Sequence, residues 1–182
     1  MRMDRRTLGF TLLEMLVTLM LLAVLTAAAA PSFSGLLQSN LAAAHADALM
    51  TSLTLARSEA IKRNLRVTLC KSADGASCTT EGDWAQGWLV FVDRDSDGVL
   101  DPGEGVLRMQ AVLSGKFTLN NSTARNWYAY RPDGSAASSG GQVTGTFRVC
   151  PPTGDAFRAR RVVTNIIGRP QVRLGIGTLS CP

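Results

Sequence analysis

The stretch of this chain best suited to chemistry is Asp93-Arg94-Asp95-Ser96-Asp97-Gly98-Val99-Leu100-Asp101-Pro102-Gly103-Glu104. It fits the calcium-loop pattern D-x-[DN]-x-[DN]-G-x5-E at every position. A hard divalent cation takes oxygen donors. Asp93, Asp95, Asp97 and Glu104 offer carboxylates, Val99 a backbone carbonyl, Asp101 a direct or water-mediated ligand, and Gly98 the sharp turn. Calcium is therefore the one cofactor the sequence suggests. The flanking segments read as strands and not as the helices of an EF-hand, so an acidic hairpin loop built on Asp-Gly and Pro-Gly turns accounts for the same residues.

The second cluster is basic. Arg148, Arg158, Arg160, Arg161, Arg169 and Arg173 fall within 26 residues. The planar guanidinium fork suits phosphate. On a strand, Arg158 and Arg160 share a face and Arg161 points the other way. A solvated basic surface, or one that meets an acidic neighbour, explains the residues equally. The formal net charge of +5 hides an asymmetry: residues 71–110 carry 3 basic and 8 acidic side chains, residues 111–182 carry 9 basic and 2 acidic. Such blocks suggest separate faces with separate partners.

Four cysteines, Cys70, Cys78, Cys150 and Cys181, include no C-x-x-C pair. An even number fits disulfides in an oxidising compartment, with zinc as the rival reading. Of three connectivities, Cys70–Cys78 with Cys150–Cys181 closes the most compact loops. The single histidine, His45, lies on a predicted helix and reads as a solvated or interface residue. No nucleophile motif, phosphate loop or zinc signature is visible, which argues against an enzyme. Trp84, Trp88, Trp127, Tyr128 and Tyr130 could stack on bases but read more simply as strand core.

These residues need elements to position them. The chain has 182 residues, 46% apolar and 18% charged, a length that suits one domain plus an anchor. Phe10 to Ala30 is an apolar run interrupted only by Glu14, roughly 30 Å as a helix and enough for a bilayer core. Basic residues precede it, which predicts a cytoplasmic leader and an exported head. Cleavage after the small residues Ala27–Ala30 is the ordinary secretory alternative. Pro31 predicts a kink. Beyond it, Leu37, Leu41, Ala44, Ala48 and Leu55 share a helical face, with Gln38, Asn40, Asp47 and Ser52 mostly elsewhere. One helix is expected to about Asn64. Strands are expected at 66–70, 87–92, 106–112, 127–131, 145–150 and 160–166, with a turn at 131–134 and a small-residue loop over 135–141. A long helix followed by antiparallel strands is an α+β architecture.

Gly9-Phe10-Thr11-Leu12-Leu13-Glu14 resembles the type IV prepilin signature. That resemblance implies a prepilin peptidase cutting after Gly9, N-methylation of Phe10, and an assembly role for Glu14, the fifth mature residue, which pairs with the amino terminus of a neighbouring subunit. Left alone in lipid, such a carboxylate costs roughly 2–3 kcal/mol, so it needs a partner. Further phrases, Ala56-Arg57-Ser58-Glu59-Ala60-Ile61-Lys62-Arg63, Gly87-Trp88-Leu89-Val90-Phe91-Val92-Asp93, Tyr130-Arg131-Pro132-Asp133-Gly134, Gly145-Thr146-Phe147-Arg148-Val149-Cys150 and Gly168-Arg169, resemble the GspH/FimT family of minor type IV pilins and minor type II secretion pseudopilins. The family implies a pilin-like fold. Its parts here are a leader (1–9), a transmembrane helix half (10–30), an amphipathic half (31–64) and a β-rich head (65–182). It implies a single-pass protein of the bacterial inner membrane with a periplasmic head, assembled with other minor pilins or pseudopilins and the assembly platform into a pilus tip or pseudopilus. The paired cysteines favour the pilin branch. FimT-type members take up double-stranded DNA through C-terminal arginines near a Gly-Arg-x-Arg motif. The resemblance carries that role to Arg158, Arg160, Arg161, Arg169 and Arg173, although Pro170 and two extra positions separate Arg169 from Arg173.

Overall fold

The structure is a computed structural model that describes residues 10–165, 167–175 and 181; within its helix, the side chains of 28–32 are not described. Gly9 and the leader lie outside the described residues, and the side chain of Pro31, where a kink is expected, is among those not described. The chain divides into two compact units, residues 1–37 and 38–182.

The helix α1 runs Leu12–Arg63. In the first unit its described side chains from Leu12 to Ala27 are exposed all round. The hydroxyls of Thr18 and Thr26 donate to the carbonyls of Met15, Leu22 and Ala23. This leaves those hydroxyls satisfied within the helix, as an apolar surrounding demands. Among the described residues no helix is long and apolar enough to cross a membrane.

In the second unit the helix supplies one wall of the core. Its buried face is Ala42, Ala46, Leu49, Leu53, Ala56 and Ala60, spaced at i, i+4 and i+7. This corrects the expected stripe: Leu37 and Ala44 are exposed and Leu55 is half-buried. Alanine occurs on every side of this helix and is small enough to sit on either, so periodicity placed the stripe about one position away. Ser52, expected outside, is buried and accepts the indole N–H of Trp88 at 3.0 Å. His45, expected to be a solvated or interface residue, is buried within the head as well. Its Nε2 donates to the Ser114 carbonyl at 3.0 Å, and its ring packs edge-on to Phe117. The helix ends on Asn64 at φ 53°, with Leu65 N–H bonded to the Ala60 carbonyl, the Schellman arrangement that satisfies a last carbonyl.

Among the described residues nine strands follow: β1 Val67–Lys71, β2 Trp88–Val92, β3 Val106–Gln110, β4 Thr118–Asn121, β5 Trp127–Tyr130, β6 Ala136–Ser138, β7 Gly145–Cys150, β8 Arg160–Thr164 and β9 Pro170–Leu174. All pairings are antiparallel. One sheet has the order β3-β2-β1-β5-β6, the other β4-β7-β8-β9. The α+β class expected from sequence, a long helix followed by antiparallel strands, is the one observed. Strands β4, β6 and β9 were not anticipated, and β6 replaces part of the expected loop at 135–141. Each is short or polar, or opens on proline, and exists because a neighbouring strand pairs it.

The inward faces of both sheets meet α1 in one core containing Val67, Leu69, Trp88, Val90, Tyr128, Tyr130, Leu119, Phe147, Val149 and Val162. Alternation puts Cys70, Leu89 and Phe91 on the opposite face of the first sheet, where Cys78, Leu100 and Trp127 cover them. Cys70 pairs with Cys78 and Cys150 with Cys181, at Cα separations of 5.6 and 5.8 Å.

Candidate functional site

At the start of α1, Thr11 Oγ1 accepts the Glu14 N–H at 3.2 Å. This is half of a Thr-x-x-Glu capping box and places Glu14 in the first helical turn, where exposed N–H groups favour a carboxylate. Phe10 is 73% exposed. The start of α1 thus presents an apolar ring beside an acid.

The acidic loop joins β2 to β3. Asp93, Asp95 and Asp97 each bring a carboxylate oxygen to within 4.8 Å of the others. Asp93 is wholly buried, and its Oδ2 accepts the Thr68 hydroxyl at 2.6 Å and pairs with Arg66 Nε at 3.1 Å. Arg66 lies over the Trp127 ring at 4.4 Å and donates from Nη1 to the Ser96 carbonyl. Burial pulls the Arg66 pKa down, and Asp93 opposes that pull. Glu104, the twelfth loop residue, is not in the converging trio. Its Oε1 accepts the Arg94 N–H at 2.6 Å and its Oε2 the Asp101 N–H at 3.2 Å, so it fastens the two ends of the loop together. Partial desolvation and then the charges of Asp95 and Asp97 raise the Asp101 pKa. Gly98 has φ +83° and an added Cβ would meet Trp127 at 2.5 Å, so this position needs glycine for both backbone and space. Val99 is half-exposed, and its N–H bonds to Asp97 Oδ1 at 2.7 Å.

The arginines divide between two faces of the second sheet. Arg160 is half-buried; its Nη2 reaches Ser39 Oγ on α1 at 2.9 Å and its Nη1 the carbonyls of Arg158 and Ala159. Arg158 pairs with Asp155 at 3.2 Å. Arg161 is directly opposite Arg148 on β7 and Arg173 on β9, and Arg148 is opposite Asn120 on β4. Directly opposed residues share a face. Three arginines therefore form one row across β7, β8 and β9, away from the core face that holds Val162 and Phe147. Arg161 Nε is buried without a partner. Arg169, in the β8–β9 turn, is not in the row. The alternation separating Arg160 from Arg161 is legible in sequence; the row is not, because it depends on the register of three strands.

Three sequence phrases converge at the end of α1. Arg57 Nε donates to the Gly134 carbonyl at 3.2 Å. Gly168, at φ +73°, brings the β8–β9 turn so close that an added Cβ would sit 2.6 Å from that same carbonyl and 2.9 Å from Tyr130. Beside them, a cavity of about 420 Å³ is lined by Thr54, Arg57, Ile61, Arg169 and Gln171 among others.

A family profile described as Type II transport protein GspH matches residues 45–168, from the middle of α1 to this β8–β9 turn. The chain belongs to the GspH family. A second profile, the prokaryotic N-terminal methylation motif, matches residues 4–30, which include Gly9, Phe10 and Glu14. The chain is 43% identical over 104 residues to the pilin-like protein PilA1 of Thermus thermophilus, covering 56% of this chain and 57% of that protein. It thus spans a little over half the length of this curated relative. Among solved structures, the minor pilin FimU of Pseudomonas aeruginosa superposes with a TM-score of 0.55 at 20% identity, over 78% of this chain and 93% of that one. The minor pseudopilin EpsH of Vibrio cholerae gives 0.53 at 12%, over 78% and 99%. At such identities these two structures bear on the fold alone. The sequence phrases that converge on Arg57, Gly134 and Gly168 are thus internal to the GspH match, and they hold helix, turn and sheet together at one end of the head.

Proposed function

We propose that this chain is a minor pilin-like structural subunit and not an enzyme. On this reading a prepilin peptidase cuts it after Gly9 and Phe10 is methylated. The apolar start of α1 anchors it in the bacterial inner membrane with the head in the periplasm, and it then assembles with other minor pilins at a type IV pilus tip. The observation that carries the reading is the stretch Phe10–Glu14, where Thr11 caps the backbone of Glu14 and the Glu14 carboxylate stands in the first turn of a helix that is exposed and otherwise uncharged from Leu12 to Ala27. A charge in that setting calls for a partner from another molecule, and the amino group released by cleavage is one of the right sign.

The test is Glu14→Ala in the full chain, expressed with its neighbours. Membrane levels should be unchanged, and the subunit should be missing from sheared fibres. Equal incorporation of the variant would overturn the role given to Glu14. Gly9→Val should leave the unprocessed precursor in the membrane. A deletion strain that secretes normally and loses twitching supports the pilus; the reverse outcome makes the chain a secretion pseudopilin.

The row Arg148–Arg161–Arg173 favours a second, additional reading, capture of double-stranded DNA for uptake. Like charges placed directly opposite destabilise a sheet, and a row of three spans about 10 Å, a geometry suited to successive phosphates. Binding should ignore base sequence and weaken steeply with salt. In gel shifts, Arg161→Ala with Arg173→Ala should reduce the salt slope by about 2. An unchanged slope rejects this reading.

A further inference from the structure

We propose that the β2–β3 loop is a calcium site, held by Asp93, Asp95 and Asp97 and independent of the assembly role above. Exposed aspartates alone would not indicate an ion, since water and salt serve them well. Asp93 is different. It is wholly buried at the end of β2, and its carboxylate belongs to the converging trio. Its Oδ2 is occupied by Thr68 and Arg66. Its Oδ1 is buried and has no donor. A carboxylate oxygen removed from water and left without a partner is strongly disfavoured, and a cation seated among the three aspartates supplies that partner.

The charge balance points the same way. The loop carries Asp93, Asp95, Asp97, Asp101 and Glu104 against Arg94 and the inserted Arg66. Arg66 does not satisfy the cluster as it stands: its Nε is committed to Asp93 and Thr68, its Nη1 to Ser96 and its plane to Trp127, and its Nη2 is buried without bonding Asp93 Oδ1 or any other acceptor. All the offered donors are oxygen, which selects a hard cation. The scaffold fits too: Gly98 makes the turn at the sixth position, and Glu104 ties the loop ends. Three carboxylates on an irregular loop satisfy calcium's tolerant geometry better than the strict octahedron magnesium requires.

The test uses terbium as probe on the full chain in detergent micelles. Trp127 packs against Gly98, so excitation of its indole should sensitise terbium held in the loop. Emission should saturate, and calcium should displace it at a concentration at least roughly tenfold below that needed for magnesium. Asp95→Ala with Asp97→Ala should abolish the signal. Both side chains are exposed and bond only to backbone N–H groups of their own loop, so the thermal unfolding temperature without metal should shift little. Trp127→Phe should lose emission yet retain calcium binding by titration calorimetry. No saturable emission together with no calcium heat at roughly 1 mM, the weak end for extracellular calcium modules, would overturn the proposal. So would binding that survives in the double aspartate variant, or equal displacement by magnesium.

Discussion

Trp88 on β2 donates its indole N–H to Ser52 Oγ on α1 at 3.0 Å, and both residues are buried. Ser52 in turn donates to the Ala48 carbonyl, so one hydroxyl joins the helix to the first sheet and leaves neither partner unsatisfied. Ser52→Ala strands the indole N–H in the core and should cost about 1–3 kcal/mol of stability. Denaturant unfolding of the detergent-solubilised chain measures this, and a change under about 0.5 kcal/mol would mean that water reaches the indole.

Gly168→Ala should destabilise the head by roughly 1–3 kcal/mol or more. The residue sits at φ +73°, and the new methyl would lie 2.6 Å from a backbone carbonyl that cannot swing aside. Gly154→Ala has the same sign of φ, at +70°, but nothing within 4 Å. It should cost only the conformational part, about 1 kcal/mol. Comparing the two unfolding midpoints separates close approach from backbone strain.

The two disulfides should differ in weight. Cys150–Cys181 closes a separation of 31 residues and Cys70–Cys78 one of 8. Loop-closure entropy then predicts about 3–4 kcal/mol for the first and about 1 kcal/mol less for the second. Paired alanine variants, compared in denaturant under oxidising conditions, check the order.

Asp74 caps the loop closed by Cys70–Cys78. It accepts from the Ala76 and Ser77 N–H groups and from the Ser77 and Ser72 hydroxyls. The Ser77 hydroxyl and then the two amides hold its pKa well below the ordinary carboxylate value. A depressed folded pKa means the loop's stabilisation is fully present above about pH 4, the unfolded value, and is lost as pH falls through the folded one. Carboxyl carbon shifts of Asp74 should therefore titrate well below the ordinary aspartate midpoint of about pH 4. A midpoint at the ordinary value would refute the capping account.

How much of this was readable in the chain depends on range. The calcium-loop pattern is twelve consecutive residues, and the Gly9–Glu14 signal six, so both are legible without a fold. Strands rich in valine and aromatics, such as Trp88–Val92 and Gly145–Cys150, announce themselves. Thr118–Asn121 and Ala136–Ser138 do not, because their conformation comes from the partners Cys150–Phe147 and Tyr128–Tyr130. The buried face of α1 was missed because alanines carry almost no facial signal. Two features need tertiary register or burial to be seen at all: Arg148 beside Arg161, and the orphaned Oδ1 of Asp93.

The ties at the head's end of α1 also have a mechanical meaning. Gln38 accepts from Thr153 at 3.1 Å and Ser39 from Arg160 at 2.9 Å. If the chain works in a fibre, as proposed above, tension drawn along α1 would load these two bonds first within residues 38–182. Thr153 is three residues from Cys150, whose crosslink to Cys181 holds that hairpin. The first place to be loaded is thus backed by a covalent bond, and the head should resist pulling longest where it meets the rope.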